Sequence, residues 1–315
     1  MLRLVVAAAC VAYLVWFFYI NRDALQVLFS VRLPPLALVI VLSVVFWLLY
    51  SYRFLFVLDK CSGRRLPFLP WFRISILATF LNMVFSQMGN VYRAVVLKRQ
   101  YDISYTNYIS SFASFAWMDT CINLIAAFLV ILVFSSNLRI GQLRAWPVIS
   151  ALLVFVVFVP ILAMAVLRRL RFKRSYLVWT KAKLSEVLAV SLNNMRDGLY
   201  VFRMVGLGLL MFFITILGYY ILFHSFSVNL GLAPLAVFYV LLRISIFVNI
   251  TPGNVGVLEL AYGFLSEQMG IGMAQGIWVS VIARLLSTII VVVLGLFFGG
   301  LDMLRHRKDY SKIEE

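Results

Sequence analysis

Charged residues are scarce in this sequence, and so are the side chains on which most enzymes rely. Asp, Glu, Lys and Arg together make up 13% of the 315 residues, whereas apolar residues make up 64%. A soluble domain of this size needs far more charge on its surface, so the composition excludes a soluble globular protein. Cysteine is also rare. Cys10, Cys61 and Cys121 are scattered through the chain, which favours neither a disulfide framework nor a metal site.

The same scarcity bears on catalysis. The sequence has two histidines, His224 and His306, neither beside a candidate nucleophile, and it has no acidic pair in a loop. It also has no glycine-rich nucleotide motif, which argues against ATP-driven transport. We therefore expect no cofactor and no metal. A membrane-embedded lipid-modifying enzyme, such as a glycosyltransferase or a hydrolase, stays open as an alternative.

Long apolar runs predict an all-α polytopic membrane protein with a single transmembrane domain over residues 1–315. Two apolar regions, Leu66–Leu97 and Leu232–Met269, are interrupted midway by Gly, Asn or Pro, which predicts broken or re-entrant helical hairpins. Six further runs are long enough to be full spans: Leu4–Ile20, Leu36–Leu58, Tyr108–Phe134, Trp146–Leu167, Arg203–Phe223 and Ile277–Gly299.

The distribution of Lys and Arg predicts the orientation of the chain. Arg168–Arg203 holds nine of them and the C-terminal tail is basic, whereas His224–Leu232 and Glu267–Ala274 hold none. Because cytoplasmic loops are enriched in Lys and Arg, we expect both termini in the cytoplasm. The net charge of +16 reflects this bias and not a nucleic-acid surface. In the basic segment 168–198, the spacing of Tyr176–Asn193 predicts a helix in the membrane interface.

The two interrupted regions resemble each other. An ungapped alignment of Thr79–Ala94 with Ile246–Ala261 pairs four identical residues, and the same offset pairs Pro67 with Pro234. Three full spans lie between the two regions, so the second begins on the opposite side of the membrane from the first. We therefore expect two inverted-topology repeats.

These repeats are expected to cover residues 65–134 and 232–299. Their helices break at Ser86–Gly89 and at Thr251–Gly256. Unwound backbone survives in hydrocarbon only inside the protein or beside a polar cavity, so the breaks are expected to line such a cavity. Helix ends that face the membrane midplane would present N–H donors to an anionic headgroup. A kinked core helix without a ligand is the plain alternative.

The polar residues near the breaks are the candidate substrate-binding residues. Arg93 is the candidate for contact with a lipid phosphate, and its alternative is to snorkel to the interface. The full candidate set is Asn82, Gln87, Gly89, Arg93, Asn249, Thr251, Pro252, Gly253, Asn254, Gly256 and Glu259.

Asp119, Arg243, Glu259 and Arg284 lie in otherwise apolar sequence. An unpaired charge in the membrane is expensive, so each is expected to pair or to line a wet cavity. Glu259 is expected to pair with Arg284 or with Arg243. Such a pair either locks the second hairpin to its neighbour or acts as a gate, and the sequence leaves both roles open.

At these positions the chain resembles the flippase-like transmembrane domain of lysylphosphatidylglycerol synthetases of the multiple peptide resistance factor type. The string TPGNVGVLELA at Thr251–Ala261 is similar to the family's Pro-Gly-x-x-Gly-x-x-Glu break. SVIARLLS at Ser280–Ser287 is similar to its Ser-Arg-Leu-Leu segment. In the first repeat, Gly89 and Arg93 match the family pattern.

The first repeat also departs from that pattern. Phe85 and Asn90 stand where the family usually has Pro and Asp, and Ala116-Trp117 stands where it usually has Glu-Arg. The resemblance implies a lipid transporter that moves an anionic phospholipid or a lipid-linked headgroup between leaflets. We expect a stand-alone member without the aminoacyl-transferase domain of the synthetases.

The resemblance also bears on partners and location. Membrane lipids with an anionic headgroup are the expected partners, and nucleic acid is not. A homo-oligomer and an accessory role beside a lipid-modifying enzyme both stay open. The expected location is the cytoplasmic membrane of a bacterium or archaeon.

Overall fold

The computed structural model describes residues 33–84, 87–135, 137–169, 192–245 and 254–311, together with Ser185 and Ala189. These residues are almost entirely helical, apart from one short β-hairpin. In chain order the elements are α1 (Leu33–Ser62), α2 (Phe68–Val84), α3 (Met88–Tyr101), α4 (Tyr105–Phe134), β1 (Arg139–Ile140), β2 (Leu143–Arg144), α5 (Ala145–Arg169), α6 (Gly198–Ser225), α7 (Leu232–Ser245), α8 (Val257–Gln268) and α9 (Met273–Ser311).

The helices confirm the predicted all-α polytopic membrane fold. Within the described ranges, the stretches long and apolar enough to cross a membrane are Pro34–Ser62, Tyr105–Phe134, Ala145–Ala163, Gly198–Ser225 and Met273–Gly299. These correspond to five of the six predicted full spans. The other predicted span, Leu4–Ile20, lies outside the described residues, and so does most of the predicted interfacial helix Tyr176–Asn193. The chain is an integral membrane protein.

The shorter helices form two hairpins that enter the bundle from opposite ends. The start of α2 and the end of α3 lie together, next to the first residue of α4. Arg64, ahead of α2, donates from Nη1 to the carbonyl of Tyr101, the last residue of α3, at 2.8 Å. The α7–α8 hairpin ends near the far end of α4. There the amide of Gly141, between β1 and β2, donates to the carbonyl of Gln268 at 3.2 Å. The predicted repeat boundaries, 65–134 and 232–299, stay a prediction.

The α2–α3 hairpin closes through a very tight contact between its two helices. A Cβ atom on Gly89 would lie 1.8 Å from the carbonyl oxygen of Ala78, so only glycine fits there. The amide of Gly89 donates to Asn82 Oδ1 at 2.7 Å. Gln87, just ahead of α3, has a φ of 69°, which lies in the left-handed region. These features turn the chain back within a few residues.

Two apolar clusters hold the bundle together. One lies between α1, α2, α3 and α4 and includes Phe54, Trp71, Leu97, Ile103 and Phe115. The other lies between α4, α6, α7, α8 and α9 and includes Phe212, Phe223, Phe238, Tyr262 and Trp278. Helix α4 contributes to both clusters, so it is the element around which the two hairpins pack.

A tryptophan in α4 donates the hydrogen bond that a proline in α5 cannot. Pro160 has no N–H, so the carbonyl of Val156 loses its usual partner within the helix. Trp117 Nε1 donates to this carbonyl at 2.9 Å. Trp117 thus links the two spans α4 and α5 and compensates for the missing N–H of Pro160.

Candidate functional site

A cavity of about 400 Å³ opens between α1, α6, α7, α8 and α9, and Met83 at the end of α2 also lines it. Most of its wall is apolar or aromatic, with Leu42 and Trp47 on α1 as examples. Two arginines, Arg243 on α7 and Arg284 on α9, also face it. The cavity therefore combines an apolar wall with two guanidinium groups. An apolar lining with a few placed polar groups is typical of ligand-binding sites.

Behind Arg243, a carboxylate is held between two arginines. Asp119 lies about halfway along α4; its Oδ1 accepts a hydrogen bond from Arg53 Nη1 and its Oδ2 accepts one from Arg243 Nη2. Arg53 is 0% exposed and Asp119 is 3% exposed. The side chain of Arg243 is 25% exposed. Arg53 and Asp119 thus form the buried base of a triad that Arg243 presents to the cavity.

The second ion pair joins α8 to α9. Arg284 Nε lies 2.5 Å from Glu259 Oε1, and Arg284 Nη2 donates to the carbonyl of Asn254 at 3.1 Å. Glu259 Oε2 accepts from the amide of Gly256 at 2.7 Å, so this carboxylate caps the N-terminus of α8. Of the two pairings that the sequence left open for Glu259, the structure forms the one with Arg284. Arg243 pairs with Asp119 instead.

The charges at this site do not balance. Among the residues that the structure describes, three guanidinium groups, those of Arg53, Arg243 and Arg284, face two carboxylates, those of Asp119 and Glu259, which leaves one net positive charge. Residues 246–253, between α7 and α8, add no charged side chain. Excess charge in apolar surroundings is costly unless a counter-charge enters. An anion is therefore the ligand that this arrangement favours.

Hydroxyl groups complete the polar part of the cavity. The hydroxyls of Tyr219 on α6 and Tyr262 on α8 lie 2.6 Å apart and share a hydrogen bond. Ser280 on α9 is 1% exposed and also lines the cavity. Its Oγ has no hydrogen-bond partner among the described residues. A buried hydroxyl without a partner costs free energy, so Ser280 offers an unused site for a ligand group.

A known protein family matches most of this sequence. The family model described as "Lysylphosphatidylglycerol synthase TM region" matches residues 1–295. The chain belongs to this lysylphosphatidylglycerol synthase transmembrane family. No curated protein and no solved structure matches it at a significant level. The family places the protein in a lipid-related, flippase-like class of membrane proteins.

In this family member, the first hairpin does not bring its candidate residues into the cavity. Arg93 is buried between α2 and α3, where its Nη2 lies 3.2 Å from the carbonyl of Ser75 and 3.4 Å from Thr79 Oγ1. Its side chain therefore ties the two helices of the hairpin together. The expected contact between Arg93 and a lipid phosphate stays a prediction.

The other candidates of the first hairpin form hydrogen bonds within the hairpin itself, where α2 gives way to α3. Asn82 accepts the amide of Gly89, and Gln87 Oε1 accepts from Asn90 Nδ2 at 2.7 Å. Neither these candidates nor Arg93 are among the described residues that line the cavity.

The candidates of the second hairpin lie closer to the site. Asn254, Gly256 and Glu259 surround Arg284 through the contacts at the start of α8. Four further candidates lie outside the described residues: Asn249, Thr251, Pro252 and Gly253.

Arg53 is a residue of the site that the sequence patterns did not single out. It is the one charged residue in the predicted span Leu36–Leu58, and that isolation was the signal that could have identified it. In this member of the family Arg53 holds Asp119 from the side opposite Arg243. Its role is to position the carboxylate rather than to face the cavity.

Proposed function

We propose that this protein translocates an anionic phospholipid, or a lipid-linked anionic headgroup, between the two leaflets of its membrane. The observation that carries the proposal is the cavity with an apolar wall and two arginines, Arg243 and Arg284. A phospholipid has the same division, since an anionic phosphate is joined to apolar chains. Guanidinium groups bind phosphate oxygens with charge-assisted hydrogen bonds, and the apolar wall suits the chains.

The depth of the site supports translocation over simple lipid binding at the surface. Arg243 reaches Asp119, which lies about halfway along the membrane-spanning helix α4. A phosphate crossing hydrocarbon needs positive charge near the midplane, where it is farthest from water. The two hairpins enter from opposite ends, and their helices reach this depth, since Met83 at the end of α2 lines the cavity and Arg243 near the end of α7 contacts Asp119. Movement of one hairpin against the spans would open the site to one side and then to the other.

The surface charges support an orientation for this process. Lys60, Arg64 and Lys98 are exposed and lie at the end of the bundle where α4 begins. Because Lys and Arg are enriched on the cytoplasmic side, this end faces the cytoplasm. The proposed location is the cytoplasmic membrane of a bacterium or archaeon, and the proposed partners are anionic membrane lipids.

The proposal is tested with the purified protein in liposomes that contain a fluorescent phosphatidylglycerol. A membrane-impermeant reductant added outside measures how fast inner-leaflet label becomes accessible. We expect the wild type to exceed protein-free liposomes. Arg243→Gln should lower the rate about tenfold or more, as expected for the loss of a hydrogen bond to a charged group.

Arg203→Gln is the matched control. Arg203 lies on the exposed surface of α6, 5.6 Å from the ring centroid of Phe56, and does not line the cavity. This variant loses the same charge and should keep the wild-type rate. Equal rates for the wild type and Arg243→Gln would contradict the assignment of the site. Chromatography of the recovered lipid separates translocation from chemical modification, because a new lipid species without flux would favour an enzyme.

A further inference from the structure

Both carboxylates near the cavity are already engaged by the protein. Asp119 accepts one hydrogen bond on each oxygen, from Arg53 and from Arg243. Glu259 is bound on one oxygen by Arg284 and on the other by the amide of Gly256. In the part of the chain that the structure describes, no acidic residue lines the cavity itself. Asp119 and Glu259 are each 3% exposed, and neither is among the described residues that line the cavity. A headgroup ammonium in the cavity would therefore reach no carboxylate unless an arginine were displaced.

Displacing an arginine is unfavourable here. Arg53 is wholly buried and Arg284 holds α9 to the start of α8, so neither moves into water without disturbing the packing. The site also already carries one positive charge in excess. An ammonium group would raise this excess in apolar surroundings, whereas a phosphodiester would cancel it.

The uncharged polar groups of the cavity suit hydroxyls instead. Ser280 Oγ is buried without a partner among the described residues, and the Tyr219–Tyr262 pair adds two hydroxyls to the same cavity. Each hydroxyl both donates and accepts, so the three can bind the hydroxyl groups of a ligand as readily as its oxygen acceptors.

We infer that the cavity selects lipids whose headgroup is a single phosphodiester with an uncharged, hydroxylated extension, and that it rejects lipids whose headgroup carries an ammonium group. The inference rests on the proposed function, which identifies the cavity as a lipid site. It names the substrate class of that site. Selectivity comes from the buried, arginine-bound carboxylates and the surplus guanidinium charge, and the preference for hydroxyls comes from Ser280 and the tyrosine pair.

This substrate class differs from the lipid in the description of the family. Lysylphosphatidylglycerol carries two ammonium groups and one phosphate, so its net charge is positive. It would add to the positive excess at Arg243 and Arg284. Unmodified phosphatidylglycerol has one negative charge and two hydroxyls on its headgroup, which matches the site. This family member is thus assigned a substrate without an amino group.

Binding is measured with the purified full chain in a non-ionic detergent, by competition against a fluorescent phosphatidylglycerol. The competitors are phosphatidylglycerol, phosphatidylmethanol, phosphatidylethanolamine and lysylphosphatidylglycerol. Phosphatidylglycerol should compete at least about tenfold more strongly than either amine-bearing lipid, because a buried unpaired ammonium is strongly disfavoured. Equal competition by phosphatidylethanolamine, or stronger competition by the lysyl lipid, would overturn the inference.

Phosphatidylmethanol isolates the hydroxyl contribution, since it has the same charge and lacks the hydroxyls. It should compete about threefold to tenfold less well than phosphatidylglycerol, the effect of one hydrogen bond. Ser280→Ala should remove most of this difference and leave the preference against ammonium unchanged. An unaltered difference in Ser280→Ala would exclude Ser280 as the hydroxyl site.

Arg284→Gln tests the charge argument directly. It leaves Glu259 without its cation, so competition by phosphatidylethanolamine should rise relative to phosphatidylglycerol by about tenfold. Arg243→Gln provides a second variant in case the first does not fold. It removes the surplus positive charge, while Asp119 stays paired with Arg53. The ratio of competition by phosphatidylglycerol to competition by phosphatidylethanolamine should therefore fall. An unchanged ratio in whichever variant folds would refute the charge argument.

The two proposals fail separately. If both lipid classes are translocated equally in liposomes, the selectivity inference is wrong and the proposed transport stands. If binding shows the expected order but no lipid crosses the bilayer, the cavity is a selective lipid site and the transport function is wrong.

Discussion

Replacement of Asp119 by asparagine tests whether the buried triad stabilises the fold as the structure indicates. The change removes the negative charge between Arg53 and Arg243 and keeps the size of the side chain. Arg53 is 0% exposed, and its Nε and Nη2 atoms have no hydrogen-bond partner among the described residues. The carboxylate of Asp119 is therefore its main compensation, together with the ring of Phe115 at 5.2 Å.

The expected magnitude follows from this burial. Removing one partner of a buried ion pair costs about 3–5 kcal/mol, because a desolvated charge is left behind. Folded proteins are stable by only about 5–15 kcal/mol, so Asp119→Asn should lose a large part of the free energy of unfolding. The measurement is unfolding in mixed micelles with increasing dodecyl sulfate, followed by circular dichroism.

Two further variants separate lost charge balance from lost packing. Arg53→Met keeps an apolar side chain in place of the arginine and leaves Asp119 paired with Arg243, so it should cost clearly less than Asp119→Asn. The double variant, Arg53→Met with Asp119→Asn, has no buried charge at position 53. It should therefore recover much of the free energy of unfolding that Asp119→Asn loses. The reasoning would be refuted if Asp119→Asn stays within about 1 kcal/mol of the wild type, or if the double variant is no more stable than Asp119→Asn.

Three other predictions concern positions away from the triad's carboxylate. Gly89→Ala should prevent closure of the first hairpin, because the added Cβ would lie 1.8 Å from the carbonyl oxygen of Ala78. Gly206→Ala is the control, since there is open space around Gly206, and both variants are compared by size-exclusion elution after heating. Gly208→Ala should destabilise the protein, since its Cβ would lie 3.0 Å from both Arg53 Nη2 and Ile122 Cγ2; the same change in an Arg53→Met background relieves the first contact and should cost less in thermal unfolding. The pKa of Asp102 lies below its ordinary value of 3.8, chiefly because a neighbouring lysine donates a hydrogen bond to its carboxylate. A small stabilisation should therefore be present above that value and be lost as the pH falls through the lowered pKa, and Asp102→Asn should lack this step in pH-dependent unfolding.

The sequence predicted the spans well because span formation depends on local properties. A run of apolar residues must be a helix in a bilayer, whatever it packs against, so α1, α4, α5, α6 and α9 could be anticipated. The breaks in the two hairpins could be anticipated for the same reason. Pro252 and Gly253 in succession disfavour a helix, and the described helices end at Ser245 and resume at Val257.

The pairing of charges could not be predicted in the same way. Which arginine meets a carboxylate depends on how the helices are rotated and how deep each hairpin reaches, and neither is a local property. Sequence distance suggested Arg243 as readily as Arg284 for Glu259, yet Arg243 turns towards α4 and meets Asp119. Arg93 follows the first break, but the rotation of α3 directs it towards Ser75 on α2.

The central claim is that a lipid headgroup occupies the cavity beside Arg243 and Arg284. The most direct measurement is photocrosslinking in liposomes with a phosphatidylglycerol that carries a diazirine on its headgroup, followed by mass spectrometry of the peptides. We expect adducts on cavity-lining residues such as Ser43, Thr215 and Ser287, and fewer of them in Arg243→Gln. Adducts confined to the outer face of the bundle, at exposed residues such as Leu217 and Ile289, would contradict the claim.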